Sequence, residues 1–511
     1  MAVAAAAALP VLVTALSIVQ PTPAMWRHLW ATRLPGMVAD TIVLLVVVVA
    51  GALVLGTCLA WLVTAWQFPG RRVLGWMLVT PLAVPGYVLG YVWLDTLQGP
   101  LGPRAVRSLW LCALVLVLTL YPYVYLFARA AFREQSGLAV DVGRSLGCTR
   151  LQVWWRVVLP MSRPSLAAGA ALAGMEVLSD VATVRLFNVS TIADGVLRVW
   201  FGTGDRTAAT ELSVLLIVLA TVLLAVERFT RGRARYAQGE RRQGMAPHQL
   251  GGWRAYAAAA AGWGVLAVAV ALPAARLASW ALEARRIDAT VTVAGDLGFH
   301  LMSSLRVAGL ATVACLVVGL VLAAALDPRR RRAHAVVARL ATLGYIVPGP
   351  VVAIGALVVL AALDRAAWLP PGTLLVGSLA GLVYALAVRF LAVAHQGIES
   401  SFAKVPSAVV DGARTLGAGR LRVVTGVKLP LGAPGIMAAG VVVAIDILKD
   451  VPITLLLRPF GSETLPMWVW QATSESLWVQ ASVPSLALVA LGMVLVAVLV
   501  WAFERGVAPA S

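Results

Sequence analysis

Asp141-Val142-Gly143-Arg144-Ser145-Leu146-Gly147, running on to Leu159-Pro160, is matched by Asp411-Gly412-Ala413-Arg414-Thr415-Leu416-Gly417, running on to Leu429-Pro430. The displacement is constant: 411 minus 141, 417 minus 147 and 430 minus 160 all give 270. Between glycine and proline, Arg150/Arg420, Leu151/Leu421 and Val157/Val427 are identical pairs. Packing alone does not require the same hydrophilic pattern twice in an apolar chain. The chain therefore reads as two copies of one unit, each presenting the same polar surface element.

The surroundings of that element are those of a membrane protein. Hydrophobic residues make up 60% of the chain and charged residues only 13%, which excludes an ordinary soluble protein. Apolar runs at 41–66, 255–275 and 482–501 are long enough to cross about 30 Å of hydrocarbon as helices. About twelve such segments can be counted, roughly six per copy. The short alternating segments of a membrane barrel are absent, so the fold class is all-α and polytopic. The stretch 2–19 lacks a basic n-region and is read as the first membrane helix, not as a signal peptide.

The net charge of +18 resembles a nucleic-acid signal until the arginines are placed. They cluster between spans, at Arg71-Arg72, across 228–242 and at 329–332. Counting spans from a cytoplasmic start puts these clusters, both polar motifs and both termini on the cytoplasmic side. Arg27, Arg285 and Arg286 fall in outer loops, so the rule is a bias. Nucleic acid is excluded as a partner. Cys58, Cys112, Cys148 and Cys315 have no paired or ligand-like spacing, so neither a disulfide framework nor a metal site is expected.

The first repeat spans 1–230 and the second 253–511, joined by a cytoplasmic linker at 231–252 rich in Arg, Gln and Gly. The polar motifs occupy 138–160 and 408–430. A second echo joins Val84-Pro85-Gly86 to Val347-Pro348-Gly349. Pro-Gly inside a span frees backbone groups, so Pro85, Gly86, Pro348 and Gly349 are expected to break helices. Such a break is either a packing kink or part of a polar path. The outer loops, at 20–39, 187–210, 282–301 and 458–481, are too short to form a capture domain. Substrate capture outside requires a separate chain.

Within the motif, Gly147 and Gly417 are placed to end a helix in the left-handed conformation. Thr149 to Gln152 forms a capping-box pattern that opens a second helix, whereas Gly419 stands where Thr149 would be. Leu151, Trp154, Trp155 and Val158 give this second helix an apolar face. Leu421 and Val424 repeat it, and Leu159-Pro160 and Leu429-Pro430 are expected to stop it. A short cytoplasmic helix displayed twice suits a partner's groove; the alternative is an amphipathic helix lying on anionic lipid. A matched glycine turn favours docking, since lipid does not demand one.

These residues resemble the permease subunits of binding-protein-dependent ABC importers. Their signature is Glu-Ala-Ala, three residues, Gly, and later a hydrophobic-Leu-Pro ending. Here Asp141-Val142-Gly143 and Asp411-Gly412-Ala413 occupy the Glu-Ala-Ala positions, and the segment after the glycine corresponds to the coupling helix. The resemblance implies coupling roles for Asp141, Gly143, Gly147, Leu151, Trp154, Leu159 and Pro160, and for Asp411, Ala413, Gly417, Leu421, Val424, Leu429 and Pro430. It implies a tandem duplication of a six-helix type I permease domain in the bacterial cytoplasmic (inner) membrane. The implied partners are two copies of an ABC ATPase carrying ATP and Mg, an external substrate-binding protein and the lipid bilayer, with no cofactor on this chain. The run from Ile447 to Phe460 is similar to fused ferric iron permeases. Related permeases carry thiamine, polyamines or phosphonates.

No Gly-Lys dipeptide occurs, and the only lysines are Lys404, Lys428 and Lys449. There is no Walker A loop to hold triphosphate and no catalytic set, so the chain is not an enzyme and hydrolysis belongs to a partner. Glu176 and Asp180 lie four apart, and Asp446 and Asp450 repeat them, which on one continuous helix puts each pair on one face. Together with Thr183 and Thr454 these are candidates for the translocation pathway. Each charge at mid-membrane costs roughly 2.5–3.5 kcal/mol on insertion scales. Either the carboxylates line a polar path with oxygens suited to a hard cation, or they pair structurally, Asp180 with Arg185 and Asp450 with Lys449 or Arg458. A secondary transporter driven by an ion gradient would use the same carboxylates and need no docking helix.

Overall fold

The computed structural model describes residues 2–17, 23–134, 145, 147–202, 206–231, 248–286, 290–325, 332–365 and 374–507. Among these the chain is almost wholly helical. Apart from turns, the strand pairing among the described residues is a two-residue parallel match of Trp66–Gln67 with His248–Gln249, extended by Leu250 N–H donating to Gln67 O. It ties the end of the linker to the turn after the helix Leu34–Ala65.

Among the described residues eight helices are long and apolar enough to cross a membrane, or up to nine if the bent pair Arg71–Ala83 and Gly86–Leu101 is one span. About twelve were expected. The remaining expected positions hold helices that are short, Ala4–Leu16 and Gly349–Asp364, or interrupted by polar residues, Leu159–Ser179 with Arg163 and Glu176. These three lack either the length or the apolarity that a span needs when it stands alone in lipid.

The chain forms two compact units. One comprises Arg33–Thr191 and Val218–Ser279, the other Met1–Thr32, Ile192–Ile217 and Trp280–Ser511. Inside the first, Leu34–Ala65 lies against Leu109–Glu134 so closely that a Cβ on Gly56 would stand 2.9 Å from Tyr121 O. A Cβ on Gly169, in Leu159–Ser179, would stand 2.8 Å from Val124 Cα. In the second unit, Gly435 meets Ser401 and Gly397 meets Ala439 in the same manner. Small residues at crossings are what apolar helices need in lipid, where tails compete equally for hydrophobic surface and only close packing discriminates.

Spatial units and sequence repeats are different partitions of the chain. The helix Trp253–Leu266 and its continuation belong to the second sequence repeat yet pack in the first unit. There Gly262 faces Leu74, Trp93 Nε1 donates to Val268 O at 3.3 Å, and Arg276 reaches Asp95 at 3.0 Å. Conversely Ala2–Leu16, from the first repeat, packs in the second unit. Ala4 and Ala7 join Leu322, Val337, Ala341 and Leu391 in one buried cluster, and Tyr384 donates its hydroxyl to Ala6 O at 2.7 Å.

The closest contact of that seat is at Gly355, where a Cβ would come within 2.2 Å of Pro10 O. Backbone cannot yield as a side chain can. Gly355→Val is expected to lift the first helix from its seat at a cost of about 1–3 kcal/mol, typical of overpacking. Thermal unfolding of the detergent-solubilised protein measures it; an unchanged midpoint would show that the helix is not held there.

Candidate functional site

The repeated polar segment is best seen in its second copy. Ser407–Thr415 is a nine-residue helix. It closes with Ala418 N–H on Ala413 O and Gly417 N–H on Arg414 O, the two bonds of a Schellman cap. Gly417 has φ 84° and Gly147 φ 80°, a conformation in which a Cβ is strained. In the first copy Asp141 and Gly143 lie outside the described residues, so their place in a helix is not drawn. Asp411 is exposed and within 3.4 Å of Arg414, and Ala413 is half-buried.

After the glycine the copies differ in their caps. Thr149 N–H donates to Gln152 Oε1 at 2.9 Å, and Gln152 N–H donates back to Thr149 Oγ1 at 3.4 Å, so both arms of the capping box form. Gly419 opens the second copy with no side-chain cap. The expected stop at Leu159-Pro160 and Leu429-Pro430 does not occur. The chain passes through both prolines as helix, by way of five-residue π turns at Trp154–Val158 and Val424–Lys428. In the second copy one helix runs Arg420–Leu448. Proline is tolerated because the widened turn before it removes the clash that ends an α-helix.

The faces of these helices also differ from expectation. Val153 and Val423 are the buried inward residues, together with Val158, and the sequence analysis had not singled out Val153 and Val423. Trp154 packs inward beside Trp61, at 6.3 Å, and Val424 and Leu429 pack against the cluster of Ile398, Phe402 and Ile436. Trp155 and Leu421 point outward, Leu421 75% exposed. The Leu151 backbone lies in the helix Arg150–Val153. Each copy thus seats its valines on its own unit and leaves apolar side chains outward.

At the far end of the same helices stand the carboxylates. Leu159–Ser179 ends just before Asp180 and Leu429–Leu448 ends just before Asp450. The carboxylate pairs therefore do not share a continuous helical face: Glu176 and Asp446 are in the helix, while Asp180 and Asp450 are past its end. Asp180 caps the next short helix, accepting from Thr183 N–H and Thr183 Oγ1, each at 2.7 Å. Asp450 accepts from Ile453 N–H at 3.0 Å and from Arg389 Nη1 at 2.6 Å. Thr454 donates to the Asp450 carbonyl at 3.1 Å.

The structural pairings expected from sequence are replaced by others. Asp180 is held by Thr183 on its own turn, not by Arg185. Lys449 pairs with Asp446 at 2.9 Å, and Arg458 with Glu463 at 3.3 Å, so neither holds Asp450. Arg389, buried like its partner, is the residue that the sequence analysis missed. A signal existed: Thr119 stands 270 positions before Arg389 and Thr183 stands 270 before Ile453. Where the second copy loses a hydroxyl donor beside the carboxylate, it gains a guanidinium.

Asp180 sits against the first Pro-Gly break, and Arg389, the partner of Asp450, sits against the second. Pro85 and Pro348 are extended and begin Gly86–Leu101 and Gly349–Asp364, with a bend of 91° at the first. A Cβ on Gly86 would lie 2.7 Å from Thr183 Oγ1 and 3.4 Å from Asp180 Oδ2, and one on Gly349 would lie 2.1 Å from Arg389 Nη1. Each unit therefore contains a Pro-Gly break pressed onto a carboxylate or onto the group that holds it. Among the described residues no three His, Cys, Asp or Glu side chains converge as a metal-holding group.

Comparison with known proteins places this architecture. Residues 52–231 match the family described as binding-protein-dependent transport system inner membrane component. The sulfate transport system permease protein CysT of Salmonella typhimurium is 30% identical over 34% of this chain and 68% of its own length. The chain belongs to the binding-protein-dependent ABC importer permeases. The Fe(3+)-transport system permease protein FbpB 2 of Haemophilus influenzae is 23% identical over 90% of this chain and 88% of that protein. The molybdenum transport system permease protein ModB of Escherichia coli is 26% identical over 35% of this chain. The permease is thus a polytopic membrane component of an ABC importer, similar to transporter permease subunits.

In this permease the pair Arg389–Asp450 is the most exacting contact, since removing one partner strands the other charge. Arg389→Met is expected to cost about 3–5 kcal/mol, the penalty of a broken buried pair, and Asp450→Asn in the same chain to recover the larger part. Thermal unfolding of single and double variants decides it; a single variant as stable as the parent would mean the pair holds nothing.

Proposed function

We propose that this permease supplies the transmembrane pathway for ferric iron, delivered by an external binding protein and driven by two copies of an ATPase bound at Gly147–Pro160 and Gly417–Pro430. The observation that carries the cargo is the extent of one likeness. The Fe(3+) permease matches over 90% of this chain, whereas the sulfate and molybdenum permeases match about a third. An oxyanion cargo is the second reading, favoured by the higher identity of the sulfate permease within that third. The reading puts the permease in the bacterial inner membrane with both termini in the cytoplasm, which the bias of arginine clusters between spans supports.

The mechanism follows from population shift. Closure of the ATPase pair must bind one permease conformation better than the other, or nothing moves. The outward residues Trp155 and Leu421 are available for that binding. The broken helices carry the change to the pathway, with Glu176, Asp180, Thr183, Asp446, Asp450 and Thr454 at its polar points. Asp180 and Asp450 serve as caps of moving breaks more than as ligands, because their oxygens are already engaged.

Two experiments test this reading. Cells lacking their own iron importer, supplied with this permease and its cognate ATPase and binding protein, are expected to accumulate radioactive iron and not radioactive sulfate or molybdate. Uptake of an oxyanion alone would overturn the cargo. Asp180→Asn with Asp450→Asn is expected to lower that uptake at normal expression. Separately, Gly147→Val with Gly417→Val forces a β-branched residue into left-handed backbone and is expected to abolish co-purification of the ATPase. Retention of the ATPase would remove these segments from the docking surface.

A further inference from the structure

We propose that residues 154–158 and 424–428 are a matched pair of hinges, at which the two docking helices bend against the spans they drive. The inference rests on the importer reading and names the transmitting element within it. Three π turns occur among the described residues: Trp154–Val158, Ala267–Ala271 and Val424–Lys428. Each is followed immediately by Leu-Pro, at 159–160, 272–273 and 429–430. The leucine N–H reaches back five residues in every case, from Leu159 to Trp154 O, Leu272 to Ala267 O and Leu429 to Val424 O.

The cause is local. Proline has no N–H to donate and its ring crowds the carbonyl one turn back; one extra residue in the preceding turn opens the helix and relieves the crowding. In the docking segments a second proline follows one turn later, Pro164 and Pro434. Two donors are therefore withheld from the ladder within consecutive turns, and bending there breaks fewer hydrogen bonds than elsewhere along the helix.

The packing is that of a hinge. On the inner side Val153 and Val158 are buried and Trp154 lies near Trp61, which meets Phe132 edge-on at 5.6 Å. In the second copy Val423 is buried and Lys428 sits over the Phe402 ring at 5.5 Å. On the outer side Trp155, Arg156, Thr425 and Gly426 are exposed. One face is anchored and the other has room to open. Beyond each hinge a helix of 21 or 20 residues, about 30 Å at 1.5 Å per residue, ends at Asp180 or Asp450. Movement of the docking helix at one end of this rod thus arrives at the capped break at the other.

Ala267–Ala271 supplies an internal control, since it shares the Leu-Pro chemistry but belongs to no docking segment. Hydrogen exchange is to be measured on the complete transporter in lipid nanodiscs, nucleotide-free and trapped with ATP and vanadate. Peptides covering 154–158 and 424–428 are expected to change exchange several-fold on trapping, and the peptide covering 267–271 not to change. An equal response at all three, or none at the docking pair, overturns the hinge. Failure of the ATPase to co-purify with the unaltered chain would break the importer reading instead. With Pro160→Ala and Pro430→Ala the response at both peptides is expected to vanish and substrate moved per ATP to fall several-fold; a preserved response with a preserved ratio also overturns it.

Discussion

Hydrocarbon offers a peptide group no partner, and every interruption of helix in this permease is built around that fact. An amide left unpaired in such a medium costs several kcal/mol. A charge at mid-membrane costs roughly 2.5–3.5 kcal/mol on insertion scales. Placing a carboxylate where it accepts from freed N–H groups sets one cost against the other. Asp180 does this with Thr183 N–H and hydroxyl, and Asp450 with Ile453 N–H and Arg389. The interruptions after Ser179 and after Leu448 persist because the amides they free are satisfied in this way.

The same solvent removes the usual drive for helices to associate, leaving close packing to hold the units together. Gly56, Gly169, Gly397 and Gly435 each bring two helices nearer than a Cβ would permit. The seating of the first helices adds a constraint on the chain as a whole. Each compact unit includes a helix encoded in the other sequence repeat, so neither repeat expressed alone contains a complete unit. Joining the repeats in one polypeptide guarantees that both helices are present in equal number.

Much of this was legible in residue order. The constant displacement of 270 gave the duplication, Gly147 and Gly417 the left-handed turns, and Thr149 to Gln152 a capping box that forms in full. The prolines misled, because a rule learned from α-helices says that Leu-Pro ends one; a single inserted residue lets the helix continue, and composition carries no mark of that insertion. The partner of Asp450 was hidden for another reason. Arg389 lies 61 positions away, beyond any local spacing rule, and only a position-by-position comparison of the copies exposes it. The exchange of first helices left no trace, since apolar periodicity says that a helix is buried but not against what.

Where the two copies diverge, they do so in compensating pairs, and that pattern bears on how the halves work. Thr119 with Thr183 in one copy answers to Arg389 with Ile453 in the other. The first carboxylate is held by a neutral donor on its own turn. The second is held by a charged donor from a different helix, Leu379–Ala403. Breaking the first cap gives up hydrogen bonds from the neutral donors Thr183 N–H and hydroxyl; separating the second strands two buried charges. The two breaks are therefore held by different chemistry, one by neutral donors on its own turn and the other by an ion pair between helices.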